Sequence, residues 1–268
     1  MAITTLDQAL AGMQPQRFFF KAATGNINAG RPVSYWGIGG IPGAGTYSGS
    51  LAGAVLSGAP GGELPFINPP GGSNSYLSRF CAEASTAGKL LLCDRLWHNG
   101  GITATTSAQT VNSPTWPARD LNGSTNGVGV FIGAEVITTT AANAPGISIS
   151  YTNSAGVSGR AGSNAFPIVA SMAAGSFLPI SQVAGDVGVQ SVQSVTFTGF
   201  APNASSFAFV AYRVIAGIEL PGVFTGSAID VVTGGMPQIW NDSVLFLLFI
   251  PGNLSAANVS GIYGVTQG

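Results

Sequence analysis

The sequence predicts a mainly β protein: an antiparallel, jelly-roll-like β-sandwich with a loop-rich amino-terminal part and one or two short helices. Three observations carry this expectation. Glycine supplies 39 of the 268 residues, about twice the usual 7%, which opposes long helices and provides turn positions of positive φ. Beyond residue 88, short apolar runs alternate with turn residues. In Ile147-Ser148-Ile149-Ser150-Tyr151 and Val195-Thr196-Phe197-Thr198-Gly199-Phe200 the period of two gives a strand with one buried face. No regular helix follows each strand, so antiparallel pairing is favoured over a parallel α/β sheet.

Taken in order, the chain starts with a short helix capped by Thr4 or Thr5, with Leu6, Leu10 and Met13 on one face and its end before Pro15. Gly30 to Gly72 has no sustained periodicity and is dense in Gly and Pro. It reads as long loops or an arm wrapping a neighbour, anchored by Tyr35, Trp36, Leu51, Val55, Leu56, Leu64 and Phe66. A second helix is expected over Ser75 to Ala87, with Leu77, Phe80, Cys81 and Ala84 at helical spacing and Gly88 as its stop.

Strands are then expected at Lys89 to Trp97, Val128 to Thr138, Ile147 to Thr152, Ile168 to Met172 and Val187 to Gly199. Further candidates are Phe207 to Ala216, Ala228 to Val232, Val244 to Ile250 and Val259 to Val265. Proline-bearing turns at Phe200-Ala201-Pro202-Asn203 and Ile250-Pro251-Gly252-Asn253 end strands, because Pro cannot donate to a ladder. A loop-rich part, 1–88, and a β-sandwich part, 89–268, are expected to pack as one unit.

Only 7% of residues are charged, against about 25% in typical soluble domains, and mean hydropathy is +0.38. Much of the surface must be uncharged, which points to a membrane or a partner surface. The longest dense apolar run, Val244 to Ile250, is far short of the roughly 18 to 20 residues of a membrane helix. An outer-membrane barrel, with strands of about ten alternating residues, stays open on sequence grounds. The start of the chain lacks the marks of a secretory signal, so the mature protein is expected to begin near it. Net charge is −1 and the basic residues are scattered, so no nucleic-acid contact is expected. Cys81 and Cys93 are expected to be buried free thiols, with a disulfide between them left open.

Catalytic patterns are sparse. His98 is the single histidine, and Asp94 four residues earlier makes a pair conceivable, but no Gly-x-Ser-x-Gly elbow accompanies it. The ten carboxylates form no tight motif, and one His with two Cys makes no zinc cluster. Calcium loops of the DxDxDG type are absent. The run Gly37 to Gly45 lacks the Gly-Lys-Ser/Thr ending of a phosphate loop. Five Asn-x-Ser patterns read as turns. The expectation is therefore a non-enzymatic protein with no catalytic residue, cofactor or metal.

Few charges, many small polar residues and large apolar side chains suit close contact between copies. The candidate interface residues are Arg17, Phe18, Phe19, Phe20, Tyr35, Trp36, Trp116 and Arg119. Ordinary core packing is the competing reading for each.

The strings Leu90-Leu91-Leu92-Cys93-Asp94-Arg95-Leu96-Trp97-His98-Asn99, Ile149-Ser150-Tyr151-Thr152-Asn153-Ser154-Ala155-Gly156 and Val210-Ala211-Tyr212-Arg213-Val214 resemble a group of poorly characterised virion proteins of tailed bacteriophages. The resemblance spans most of the chain and brings no catalytic or ligand motif with it. It implies a virion location and a capsid decoration, cement or minor head or tail protein. Such a protein would form a homo-oligomer, such as a trimer, and contact the major capsid protein or other virion proteins. No amphipathic segment is long enough for the spine helix of a major capsid protein. A tail or fibre component binding a host surface is the alternative, and a cell-wall or polysaccharide hydrolase the second.

Overall fold

The computed structural model describes residues 3–22, 25, 27–140, 146–169, 171–198, 205–254 and 256–268. The expected turn at Phe200 to Asn203 lies outside them.

The helix α1 (Leu6–Ala11) is capped as the sequence predicts. Thr5 Oγ1 accepts from the Gln8 N–H, and the Gln8 side chain accepts from the Thr5 N–H. The strands that follow are β1 (Arg17–Ala22), β2 (Val33–Ser34), β3 (Gly40–Ile41), β4 (Ala54–Val55), β5 (Ser75–Ala84), β6 (Gly88–His98), β7 (Ile102–Thr103), β8 (Gln109–Thr110) and β9 (Val130–Val136). The remainder are β10 (Gly146–Asn153), β11 (Arg160–Asn164), β12 (Phe177–Ser181), β13 (Val189–Thr198), β14 (Ser206–Leu220), β15 (Ser227–Asp230), β16 (Gln238–Ile239), β17 (Leu245–Pro251) and β18 (Asn258–Gln267).

They form two antiparallel sheets, a β-sandwich. The small sheet runs β15-β5-β18-β1-β3, with β16 also on β5. The large sheet runs β2-β17-β6-β14-β9-β12-β11-β10-β13-β8, with β4 on β6 and β7 on β14.

Three apolar clusters fill the molecule. Between the sheets, Phe19, Leu77 and Phe80 meet Leu90, Leu92, Leu247 and Phe249. Where the large sheet curls on itself, Ile132, Ile149, Val195, Phe197, Phe207 and Phe209 close a second core. On the opposite face of the large sheet, Cys93, Tyr212, Phe246 and Leu248 are roofed by Trp36, Tyr47 and Leu56. The middle of the large sheet is therefore buried on both sides, which is why β17 reads as an unbroken apolar run.

Three expectations are corrected. Ser75 to Ala87 is not a helix: its first ten residues are β5, the centre of the small sheet. Arg79 pairs with Gly264 and Leu77 with Val265, leaving Ser78 as an extra, bulged residue. The bulge puts Leu77 and Phe80 on one face three residues apart, which imitates a helix. Ile168 to Met172 is not a strand either. Ile168 and Met172 are buried from a loop held by Thr140, whose hydroxyl donates to the Val169 carbonyl and accepts from the Met172 N–H. Finally, Arg17 to Ala22, placed by sequence in an irregular region, is a strand pairing with the carboxyl-terminal β18.

Candidate functional site

The site is built from where the charges are and where they are not. Of nine basic and ten acidic residues, eight are buried: Lys21, Glu63, Asp94, Arg95, Arg119, Asp120, Glu135 and Arg213. Adjacent residues of β6 face opposite ways, so Asp94 and Arg95 serve two separate ionic centres.

Arg95 Nη1 donates to Glu135 Oε2 at 2.8 Å, and Tyr47 Oη donates to Glu135 Oε1 at 2.8 Å. Arg95 Nη2 has no hydrogen-bond acceptor, but the guanidinium carbon lies 4.7 Å from the Trp36 ring, 5.4 Å from Phe246 and 5.7 Å from Tyr47. Aromatic faces stand in for the missing acceptor. Arg95 Nε donates to His98 Nδ1 at 3.0 Å. Burial, then the neighbouring Arg95 charge, lower the His98 pKa to about 3, so the ring is neutral at pH 7. Burial, and then the Glu135 charge, push the Tyr47 phenol far up.

Asp94 accepts from Ser243 Oγ at 2.8 Å and from the Val244 N–H at 2.9 Å. Arg119 Nε lies 3.2 Å from Asp94 Oδ2, a charge contact without hydrogen-bond alignment. Arg213 Nε donates to the Arg119 carbonyl. Asp94 and His98 do not form a pair. Leu96 is bulged against β14, since Trp97 pairs with Ala211 and Arg95 with Tyr212. That extra residue places His98 beside Arg95 and away from Asp94.

Lys21 is a third buried charge, its ammonium donating to the carbonyls of Ile38, Pro42 and Gly43 at 2.8–3.0 Å. Burial, opposed by Glu63, lowers its pKa to about 8. These bonds fix the loop that carries β3 against β1.

The outer face of the small sheet is the reverse of this interior. Phe18 pairs with Ile262, Ile262 with Cys81 and Cys81 with Ala228, one apolar row across four strands. The next row joins Ile41, Phe20, Ser260 and Glu83. With strands about 4.8 Å apart, five strands make a face roughly 19 Å wide. Phe18 is 53% exposed, Phe20 38% and Ile41 54%. Arg79, Glu83 and Asp230 border the face.

The sequence-derived interface residues divide accordingly. Phe18 and Phe20 are on this face, and Arg17 is half-buried at the rim beside Tyr263. Phe19, Tyr35, Trp36, Trp116 and Arg119 are inside the chain's own cores. In the Arg17 to Phe20 string, alternation decides which rings are outside, and β1 was not recognised as a strand. Ile41, Cys81, Ala228 and Ile262 were not singled out from the sequence, because only register brings them together. Cys81 is half-buried and Cys93 fully buried, and both are free thiols.

Among the described residues, no helix is long and apolar enough to cross a membrane, and no three His, Cys, Asp or Glu side chains converge on a metal-sized site.

No family model matches the chain, and no curated protein matches it. Among solved structures, it is similar to the family 11 carbohydrate-binding module of a cellulosomal cellulase of Clostridium thermocellum. That match has 13% identity and a TM-score of 0.23, covering 63% of this chain and 95% of that one. It is also similar to the VP2 protein of infectious bursal disease virus in T=1 particles, at 10% identity and a TM-score of 0.19, covering 96% and 78%. The T13 particle of the same virus gives 9% identity and a TM-score of 0.22, covering 94% and 77%. Viral capsid proteins are thus among its weak structural neighbours, and likenesses at these TM-scores carry no argument about function.

Proposed function

We propose that this chain is a non-enzymatic structural protein of a phage virion, a capsid decoration, cement or minor capsid protein that stabilises a shell through contacts between subunits. One observation carries the reading. A chain with few charges spends eight of them inside and leaves an apolar sheet face outside. Burying Phe18, Phe20, Ile41 and Ile262 against a second copy removes the exposed apolar surface, at about 25 cal/mol per Å² before association costs. Many copies on a lattice multiply a modest contact. The phage resemblance in β6, β10 and β14 supports the virion setting.

Cys81 is a reporter at the middle of this face. In the full chain at micromolar concentration, maleimide should label Cys81 slowly while copies are associated. It should label quickly in Phe18→Glu, which should sediment as a monomer. Cys93 should stay unlabelled in both, since burial raises its pKa and shields it. A wild-type chain that is monomeric, openly labelled at Cys81 and missing from purified particles would sink the proposal. Mass-spectrometric copy counting per particle separates a shell protein from a tail component.

A further inference from the structure

An open cleft of about 290 Å³ lies where β16 turns toward β17, lined by Asn74, Ala118, Gln238, Ile239, Trp240 and Asn241. No charged side chain lines it. Its polar groups are three amides. Gln238 Nε2 donates to Asn74 Oδ1 at 3.2 Å, which leaves Asn74 Nδ2, Gln238 Oε1 and the whole Asn241 amide without partners among the described residues.

The indole is held in place. Trp240 Nε1 donates to the Asp120 carbonyl at 2.8 Å, and its six-membered ring rests on Gly123, where a Cβ would come within 2.6 Å. Below the cleft, Arg213 Nη2 donates to the Gln238 carbonyl, and Arg119 Nη1 donates to the Asp242 carbonyl. The two buried arginines thus brace both ends of the segment that presents Trp240, which preorganises it. Trp36, Trp97 and Trp116 are all within 1% of full burial, so Trp240 is the indole at the surface.

The chemistry selects a ligand class. An anion or cation would find no counter-charge, and a purely apolar ligand would cover free amides and leave them unsatisfied. A pyranose ring satisfies both halves: its C–H face lies on the indole, and its neighbouring hydroxyls exchange hydrogen bonds with amides that both donate and accept. We propose that this cleft binds a neutral hexopyranose unit of a glycan. The inference is independent of the assembly proposal, because the cleft is built by β16 and the loop at Asp120 rather than by the outer face of the small sheet.

The test uses the full chain and acrylamide quenching of tryptophan fluorescence, which reports Trp240 because the other three indoles are inside. Oligosaccharides of glucose, galactose, N-acetylglucosamine and rhamnose are titrated one at a time. At least one should protect Trp240 saturably, with a midpoint of about 1 mM for so open a cleft. Gln238→Ala and Asn241→Ala should each weaken protection about five- to tenfold, and Phe18→Glu should leave it unchanged. Trp240→Ala should abolish sugar binding read by ligand-detected NMR, with folding checked by circular dichroism. The proposal is overturned if no sugar protects Trp240 up to about 50 mM. It is equally overturned if protection is unchanged in the Gln238→Ala and Asn241→Ala variants, or if sialylated sugars bind as well as neutral ones.

Discussion

Arg95 shows what the interior charges do. It is fully buried, and every partner that compensates it comes from a different part of the chain: Glu135 from β9, His98 from its own strand, and Trp36 and Tyr47 from the loop that roofs the sheet. Removing one member of a buried pair leaves the other uncompensated, so Glu135→Ala should cost about 3–5 kcal/mol in urea unfolding. Tyr47→Phe removes only the phenol's hydrogen bond and should cost about 1–2 kcal/mol. Equal losses for the two would show that the ion pair is not the dominant interaction. His98 sets a pH dependence. Its folded pKa of about 3 lies below the free value of 6.5, so between these limits the unfolded chain binds the extra proton. The contribution is constant above about pH 6.5 and falls as pH drops toward 3. Between about pH 6.5 and 5, where most carboxylates remain ionised, His98→Gln should flatten the loss of stability measured by denaturant titration. An unchanged slope would refute this assignment.

At the scale of elements, β-bulges decided what could be read in advance. Strands with unbroken alternation, β10 and the second half of β13, were legible, as was the doubly buried run of β17. Where a bulge intervenes, apolar spacing changes from two to three. In β13, Val189, Val192 and Val195 are all buried because Gln190 and Gln193 are the unpaired residues opposite β10. In β5 the same device at Ser78 produced the false helix. Deleting Ser78 would keep composition and local propensity nearly intact but send either Leu77 or the Phe80, Ala82 and Ala84 set to the wrong face. Such a variant should yield no folded soluble protein, whereas Ser78→Ala should fold; a folded deletion variant with native circular dichroism would show that the bulge does not set register. The roofing loop was legible only as a loop. Its tightness comes from Gly45, whose added Cβ would lie 2.3 Å from the Trp36 ring. Gly45→Ala should therefore cost about 1–3 kcal/mol through overpacking.

For the whole molecule, composition was the strongest guide, since the shortage of charge was evident before any element could be placed. What composition could not show is the inside-outside partition, because only packing reveals that Asp94, Arg95, Arg119, Glu135 and Arg213 are interior. The apolar face was likewise half visible: Phe18 and Phe20 stand out in the string, while Ile262 and Cys81 join them only through strand register. This partition makes the salt response diagnostic of how copies associate. If contacts were made by charge pairs, association would weaken as salt shortens the Debye length from about 14 Å to about 3 Å between about 0.05 and 1 M. An apolar face bordered by only Arg79, Glu83 and Asp230 should instead change affinity by less than about threefold over that range. Sulfate, which strengthens apolar burial, should tighten association. Sedimentation velocity of the full chain in sodium chloride and in sodium sulfate measures both responses. Dissociation by chloride at moderate concentration would move the interface from the small sheet's outer face to the sparse charged surface elsewhere.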